Sequence, residues 1–278
     1  MTATFQILAH RGIVQESTEN SLISLEKSLE KGFGLEIDIH RTKDEKLVVI
    51  HDKNLKRITG IDANVTEKTL EFIKTLTYKN KNPVKIRIAT LNEVLNLFKN
   101  KSHTNTKLAI QLKDCNEEDI EKLIVTQLNK FNSENLTFNL FERVFIFDTT
   151  LDSAEKIKSL NPKIKIALSI GETKNFPDSR YPTIYNLEQV KNNNNWDIAW
   201  ADEWESGLYS EEFIKILKDN GKTVFVVSPE LHANTDPKHP LSEKGFKDYW
   251  KKLISWGVDG ICTDHPTELA KLLKVFSA

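Results

Sequence analysis

Apolar residues along this chain keep two rhythms in turn. Short β-rich runs, four to eight residues long, are followed by longer amphipathic segments whose apolar positions recur every three to four residues. Strands are predicted at residues 5–10, 34–40, 107–113, 143–148, 163–170, 196–203, 222–229 and 258–264. Helical periodicity marks 21–31, 117–131, 151–160, 210–220 and 244–256. Gly32, Gly221 and Gly257 stand just past three of these helices, where a left-handed residue ends a helix. Alternation of this kind implies a parallel sheet with helical crossovers, and eight repeats imply closure into an α/β TIM (β/α)8 barrel.

One region departs from the rhythm. A further strand at 46–51 comes before the helix at 91–98, and residues 53–90 carry only short patterns, with 70–76 reading as helix. This predicts a small insertion after the second strand. The expectation is one barrel domain over 1–278 with the insertion at 53–90. The length of 278 residues agrees, since such barrels run to about 250.

Composition narrows the function classes. Apolar residues at 39% and charged residues at 28% suit a soluble chain with a real core. The net charge of −1 argues against a nucleic-acid binder, which normally carries a basic excess. The two cysteines, Cys115 and Cys262, form no metal or redox spacing and fit a reducing compartment. Met1 to Gln6 is too short and polar for a signal peptide. No apolar run approaches the ~18 residues of a membrane span. A cytoplasmic address with a small-molecule substrate is expected; oligomeric state is not readable.

The candidate chemistry is concentrated before residue 60. Glu36 and Asp38 lie two apart on an apolar strand, so both point to one face while Leu35, Ile37 and Ile39 point to the other. Paired carboxylates on an interior face repel and resist desolvation, and a bound divalent cation resolves both problems. The plainer alternative is a structural ion pair with Arg11 or Lys113. Oxygen ligands favour Mg2+ or Ca2+ over Zn2+. His10 and His51 each close a strand, at the end of a barrel where catalytic groups sit. Arg11 could clamp phosphate. Gln111 and Lys113 again share one strand face, and Lys113 could neutralise phosphate charge. Asn20 is predicted to cap a helix. Trp196, Trp200 and Trp204 are read as core packing ahead of a substrate platform; Asp202, Glu203 and Glu205 could touch the site, with a solvated rim the better reading.

Together, LAHRG, TENS, EID-x-x-x-T-x-D, VVIHD and LKRITG resemble the glycerophosphodiester phosphodiesterase family. IATLNEVL and GVDGICTDHP extend the resemblance over nearly the whole chain. It implies a TIM barrel with a small insertion after the second strand, and hydrolysis of glycerophosphodiesters to an alcohol and glycerol 3-phosphate with Mg2+ or Ca2+. By position it implies that His10 and His51 are the acid/base pair, that Arg11 and Lys113 hold phosphate, and that Glu36 and Asp38 bind metal.

Two departures stand out. Gln111 occupies the place of the family's third acidic ligand; its carbonyl oxygen can still reach a cation, but the site loses one negative charge. The seventh strand reads Phe225-Val226-Val227-Ser228-Pro229-Glu230 rather than the family's Trp-Thr-x-Asn-like segment, and Glu230 could compensate with a carboxylate. The rival readings are a catalytically weakened relative that binds phosphodiesters or sugar phosphates, a sphingomyelinase D-like enzyme, and a sugar-phosphate isomerase or aldolase barrel. The strand-end histidines disfavour the last.

Overall fold

A computed structural model of the chain describes residues 5–79, 85–113, 119–171, 183–235 and 238–276. The strands are β1 (Gln6–His10), β2 (Gly34–Arg41), β3 (Leu47–Val49), β4 (Ala89–Thr90), β5 (Leu108–Leu112), β6 (Val144–Phe147), β7 (Lys165–Gly171), β8 (Ile184–Tyr185), β9 (Ile198–Asp202), β10 (Thr223–Val227) and β11 (Gly260–Thr263). Eight of them run in the order β1-β11-β10-β9-β7-β6-β5-β2, all parallel, and β1 pairs with β2 to close the barrel. These eight are the predicted strands, with ends shifted by one or two residues: most are trimmed, while β2 and β7 each run one residue further.

Strand alternation separates two cores. Outward residues such as Leu35, Ile37, Ile39, Ile110 and Ile146 pack under the helices. Inward residues Leu8, Ala109, Phe145, Phe147, Ala167, Ile198, Trp200, Phe225, Val227 and Cys262 fill the cylinder. Large and small side chains alternate around this interior, as a packed barrel requires. Gly260 shows why: a Cβ there would lie 2.6 Å from both the Gln6 carbonyl and the Phe225 ring.

The insertion grows from the barrel edge. β3 pairs antiparallel with β2, and β4 with β3. Beyond them Ile50, Leu55, Ile58, Val65, Ile73 and Ile88 bury their own small cluster, and the predicted helix at 70–76 is Leu70–Thr75. The predicted helix at 117–131 is seen as Ile120–Glu134; Cys115 lies outside the described residues. The short helix Leu140–Arg143, strand β8 and the helix Pro266–Phe276 were not foreseen. Among the described residues no helix is long and apolar enough to cross a membrane.

Candidate active site

A cavity of about 470 Å³ opens at the C-terminal ends of the barrel strands, walled by His10, Arg11, Glu36, His51, Gln111 and Lys113 on one side. Asp38 is fully buried against two of these residues, Arg11 and Lys113. The structure therefore brings all seven candidate residues to one place. It also realises the plainer alternative for Asp38, which pairs with Arg11 Nε at 3.2 Å and Lys113 Nζ at 3.1 Å.

Local backbone explains the delivery of Arg11. At the end of β1, Arg11 and Gly12 both take left-handed conformations (φ 55° and 90°), which fold the chain back at once. A side chain at Gly12 would collide with Ser24. The His-Arg-Gly order is thus a strand end followed by a turn that only glycine completes.

Both histidines are oriented by a carboxylate. His10 Nδ1 donates to Asp264 Oδ1 at 2.8 Å, and His51 Nδ1 donates to Asp52 Oδ1 at 2.7 Å. Each Nε2 is left for proton transfer. His40, inward on β2 like Glu36 and Asp38, donates from Nε2 to the His51 carbonyl at 3.0 Å and fixes that backbone. Arg57 makes a bidentate pair with Glu19 (2.7 and 3.0 Å) and also donates to Asp52. Glu19 in turn stands 3.6 Å from Arg11. A single charge chain thus ties the TENS and LKRITG segments to His51 and Arg11, which gives those motifs a physical reason to occur together.

The electrostatics follow burial and partners. Burial, reinforced by Asp38, pushes the Glu36 carboxyl up to about 7. Burial works the same way on Asp38, but the cations of Lys113 and Arg11 outweigh it and hold Asp38 well below the usual carboxylate range. Burial alone would lower His10; the hydrogen bond to Asp264 and the charge of Glu36 overcome it and raise the pKa. His51 is lowered, by burial and by Lys113 and Arg11, against the pull of Asp38.

Five expectations are corrected here. Asn20 does not cap the helix; Ser21 does, accepting from Ser24 N. Asn20 instead sits at φ 53° and donates to Asp38 Oδ2 at 2.8 Å. Glu203 is no rim residue: it is buried, accepting from Tyr209 N, His239 Nε2 and Tyr249 OH. Glu230 supplies no carboxylate to the cavity, since it is held below by Ser228 and Thr263. Trp196 and Trp200 are buried as expected, but Trp204 lines the cavity and stacks on His232, with centroids 4.5 Å apart. His232 Nε2 donates to Asp202 Oδ1 at 2.6 Å, so Asp202 also reaches the cavity. Asp148 and His232 carried no local sequence signal, and Asp264, though inside GVDGICTDHP, gave no hint of its partner His10, 254 residues away.

Residues 10–268 match the Glycerophosphoryl diester phosphodiesterase family. The chain belongs to this family. The family consists of phosphodiester hydrolases, and the chain is an enzyme of that class. A glycerophosphodiester phosphodiesterase of Bacillus altitudinis is 28% identical over 273 residues, covering 96% of this chain and 97% of the relative. A human lysophospholipase D is 33% identical over 298 residues, covering 98% and 87%. Among solved structures, an Oleispira antarctica phosphodiesterase in complex with the product sn-glycerol-3-phosphate superposes with a TM-score of 0.72 at 20% identity, covering 97% of this chain and 96% of that one. At that identity the likeness speaks for the barrel fold.

Proposed function

We propose that this chain hydrolyses glycerophosphodiesters to an alcohol and glycerol 3-phosphate, with His10 and His51 as the proton-transfer pair. The observation that carries the reading is the pair of carboxylate-oriented imidazoles, His10–Asp264 and His51–Asp52, facing one cavity that also holds Arg11 and Lys113. Family membership and the relatives' names support the same reaction.

Two cations beside the imidazoles suit a phosphodiester. Arg11 and Lys113 attract the phosphate and stabilise charge growing on its oxygens. His51, flanked by those cations, is kept neutral and takes the proton from the attacking hydroxyl. His10, set between Glu36 and Asp264, holds its proton and gives it to the departing alkoxide. The reading as a weakened binder is not favoured, because both histidines keep their orienting partners.

The family is generally dependent on a divalent cation, and the donor set here fits one. Glu36 and Asp38 offer carboxylate oxygens and Gln111 an amide oxygen, all hard donors suited to Mg2+ or Ca2+. Asp38 is countered by Lys113 and Arg11, but Glu36 beside it has its carboxyl pushed up to about 7 by burial and by Asp38; a cation would offset the repulsion between the two carboxylates. Among the described residues no three His, Cys, Asp or Glu side chains cluster as a metal site. When bound, such a cation acts as a Lewis acid on a phosphate oxygen.

Phosphorus NMR of the purified chain with glycerophosphocholine and Mg2+ or Ca2+ tests the reading. Glycerol 3-phosphate should accumulate. Recovery of intact diester, or release of phosphocholine instead, contradicts it.

A further inference from the structure

Gln111 stands between two strands that carry carboxylates. Its register partners are Asp38 on β2 and Phe147 on β6, and Asp148 follows Phe147 immediately. The Gln111 side-chain amide donates from Nε2 to Asp148 Oδ2 at 2.7 Å. A carboxylate can only accept, so the chemistry of Asp148 decides which end of the amide faces it. With the nitrogen committed to Asp148, the amide oxygen is left for a partner other than that carboxylate, and Glu36 and Asp38 stand on the neighbouring strand β2.

Asp148 is itself held firmly. It takes a left-handed backbone conformation (φ 62°), and Thr183 Oγ1 donates to its other oxygen. Both carboxylate oxygens are therefore occupied by donors, which makes Asp148 a poor ligand and a good anchor. A glutamate at position 111 would meet Asp148 acceptor to acceptor, two negative charges at contact distance. Beside Asp148, position 111 calls for a donor, and glutamine provides a donor at one end and an acceptor at the other.

We infer that Asp148 is a positioning residue that locks the Gln111 amide with its oxygen toward Glu36 and Asp38, making a neutral side chain the oriented third oxygen donor for a divalent cation. The inference rests on the phosphodiesterase reading above and deepens it: Gln111 is half of a donor–acceptor pair and not a defective glutamate.

A charge-reversal cycle tests it. Calorimetric titration of the cation-free chain with CaCl2 and with MgCl2, and thermal unfolding without cation, are measured for the unaltered protein, Asp148→Gly, Asp148→Asn, Gln111→Glu and the Asp148→Asn/Gln111→Glu double variant. Glycine and asparagine both tolerate the left-handed backbone, so the fold is kept. Asp148→Gly, which removes the acceptor, should weaken Ca2+ roughly 10- to 100-fold, as loss of an orienting partner does, whereas asparagine can still accept from the Gln111 amide. Gln111→Glu alone should lower the unfolding temperature and bind Ca2+ no more tightly than the unaltered chain. The double variant restores a donor–acceptor pair with its polarity reversed; it should bind Ca2+ more tightly than either single variant and recover the unfolding temperature. The inference is overturned if Asp148→Gly binds Ca2+ within twofold of the unaltered chain, if Asp148→Asn and Gln111→Glu act additively, or if the unaltered chain takes up no cation. Release of glycerol 3-phosphate by the unaltered chain separates the failures: with release and cation uptake intact, an additive cycle removes only the role of Asp148, whereas absence of release removes the phosphodiesterase reading with it.

Discussion

The two walls of the cavity are made of different materials. β1, β2 and β5, with the turn after β3, present His10, Arg11, Glu36, His51, Gln111 and Lys113. The facing wall, from β6 through β10, presents Phe147, Ser169, Trp200, Trp204, Val227 and Leu231, with two polar pairs, Asp148–Thr183 and Asp202–His232, set among them. The first wall is a lattice of opposed charges in which each member fixes the next. The second is mostly aromatic and apolar, and Trp200 continues into the barrel core through stacking on Phe147 with centroids 4.2 Å apart. The difference assigns work. Fixed charges stabilise a reacting phosphate, whereas an apolar wall excludes water and shapes the space for the rest of a substrate.

The largest effect should come from the charged wall. His10→Ala and His51→Ala should each lower kcat about 10²- to 10⁴-fold with little change in KM, read by initial rates of glycerol 3-phosphate release. If either variant turned over normally, the division of labour between the walls would be wrong.

Next comes the keystone of that lattice. Asp38→Ala leaves Arg11 and Lys113 without their buried counter-charge, and removing one partner of a buried pair destabilises by roughly 3–5 kcal/mol. Because each cation is about a fifth exposed, the lower end is expected in urea unfolding. An unfolding midpoint equal to that of the unaltered chain would show that Asp38 does not organise this wall.

Glu36 gives a pH signature. Its folded pKa of about 7 lies above its ordinary value of 4.5. Between those values the folded chain binds more protons than the unfolded one, so the stability of cation-free protein should fall as pH rises through this window, by up to roughly 3 kcal/mol. Glu36→Gln should flatten that dependence and raise the unfolding temperature above pH 7. A stability profile unchanged by the substitution contradicts the assignment.

The smallest effect should come from the apolar wall. Trp204→Ala removes a ring stacked on His232 and should raise KM several-fold, about 1 kcal/mol, with kcat nearly intact. A loss in kcat as deep as that of the histidine variants would erase the distinction between the walls.

Much of the charged wall was legible in the chain. Glu36 and Asp38 are two residues apart on a strand, so the pleat alone puts them on one face, opposite Leu35 and Ile37. The same argument placed Gln111 with Lys113. Asn20 misled because a small polar residue before a helix ordinarily caps it; here Ser21 takes the cap and a left-handed turn sends Asn20 to Asp38. Glu203 misled because carboxylates near strand ends are usually wet, yet His239 and two tyrosines from later segments enclose it. Glu230 followed a strand toward the cavity but turned to Thr263 and Ser228.

Sequence by itself determined the alternating strand and helix rhythm, the inward face of each strand and the set of groups able to move protons and bind phosphate. Those properties depend on periods of two and 3.6 residues, which any short segment displays. Only the tertiary structure decided the partnerships. Asp264 reaches His10 across 254 residues because β11 closes against β1, and Asp148 meets Gln111 because β6 lies beside β5. Register between distant strands sets those contacts, and no local period encodes it.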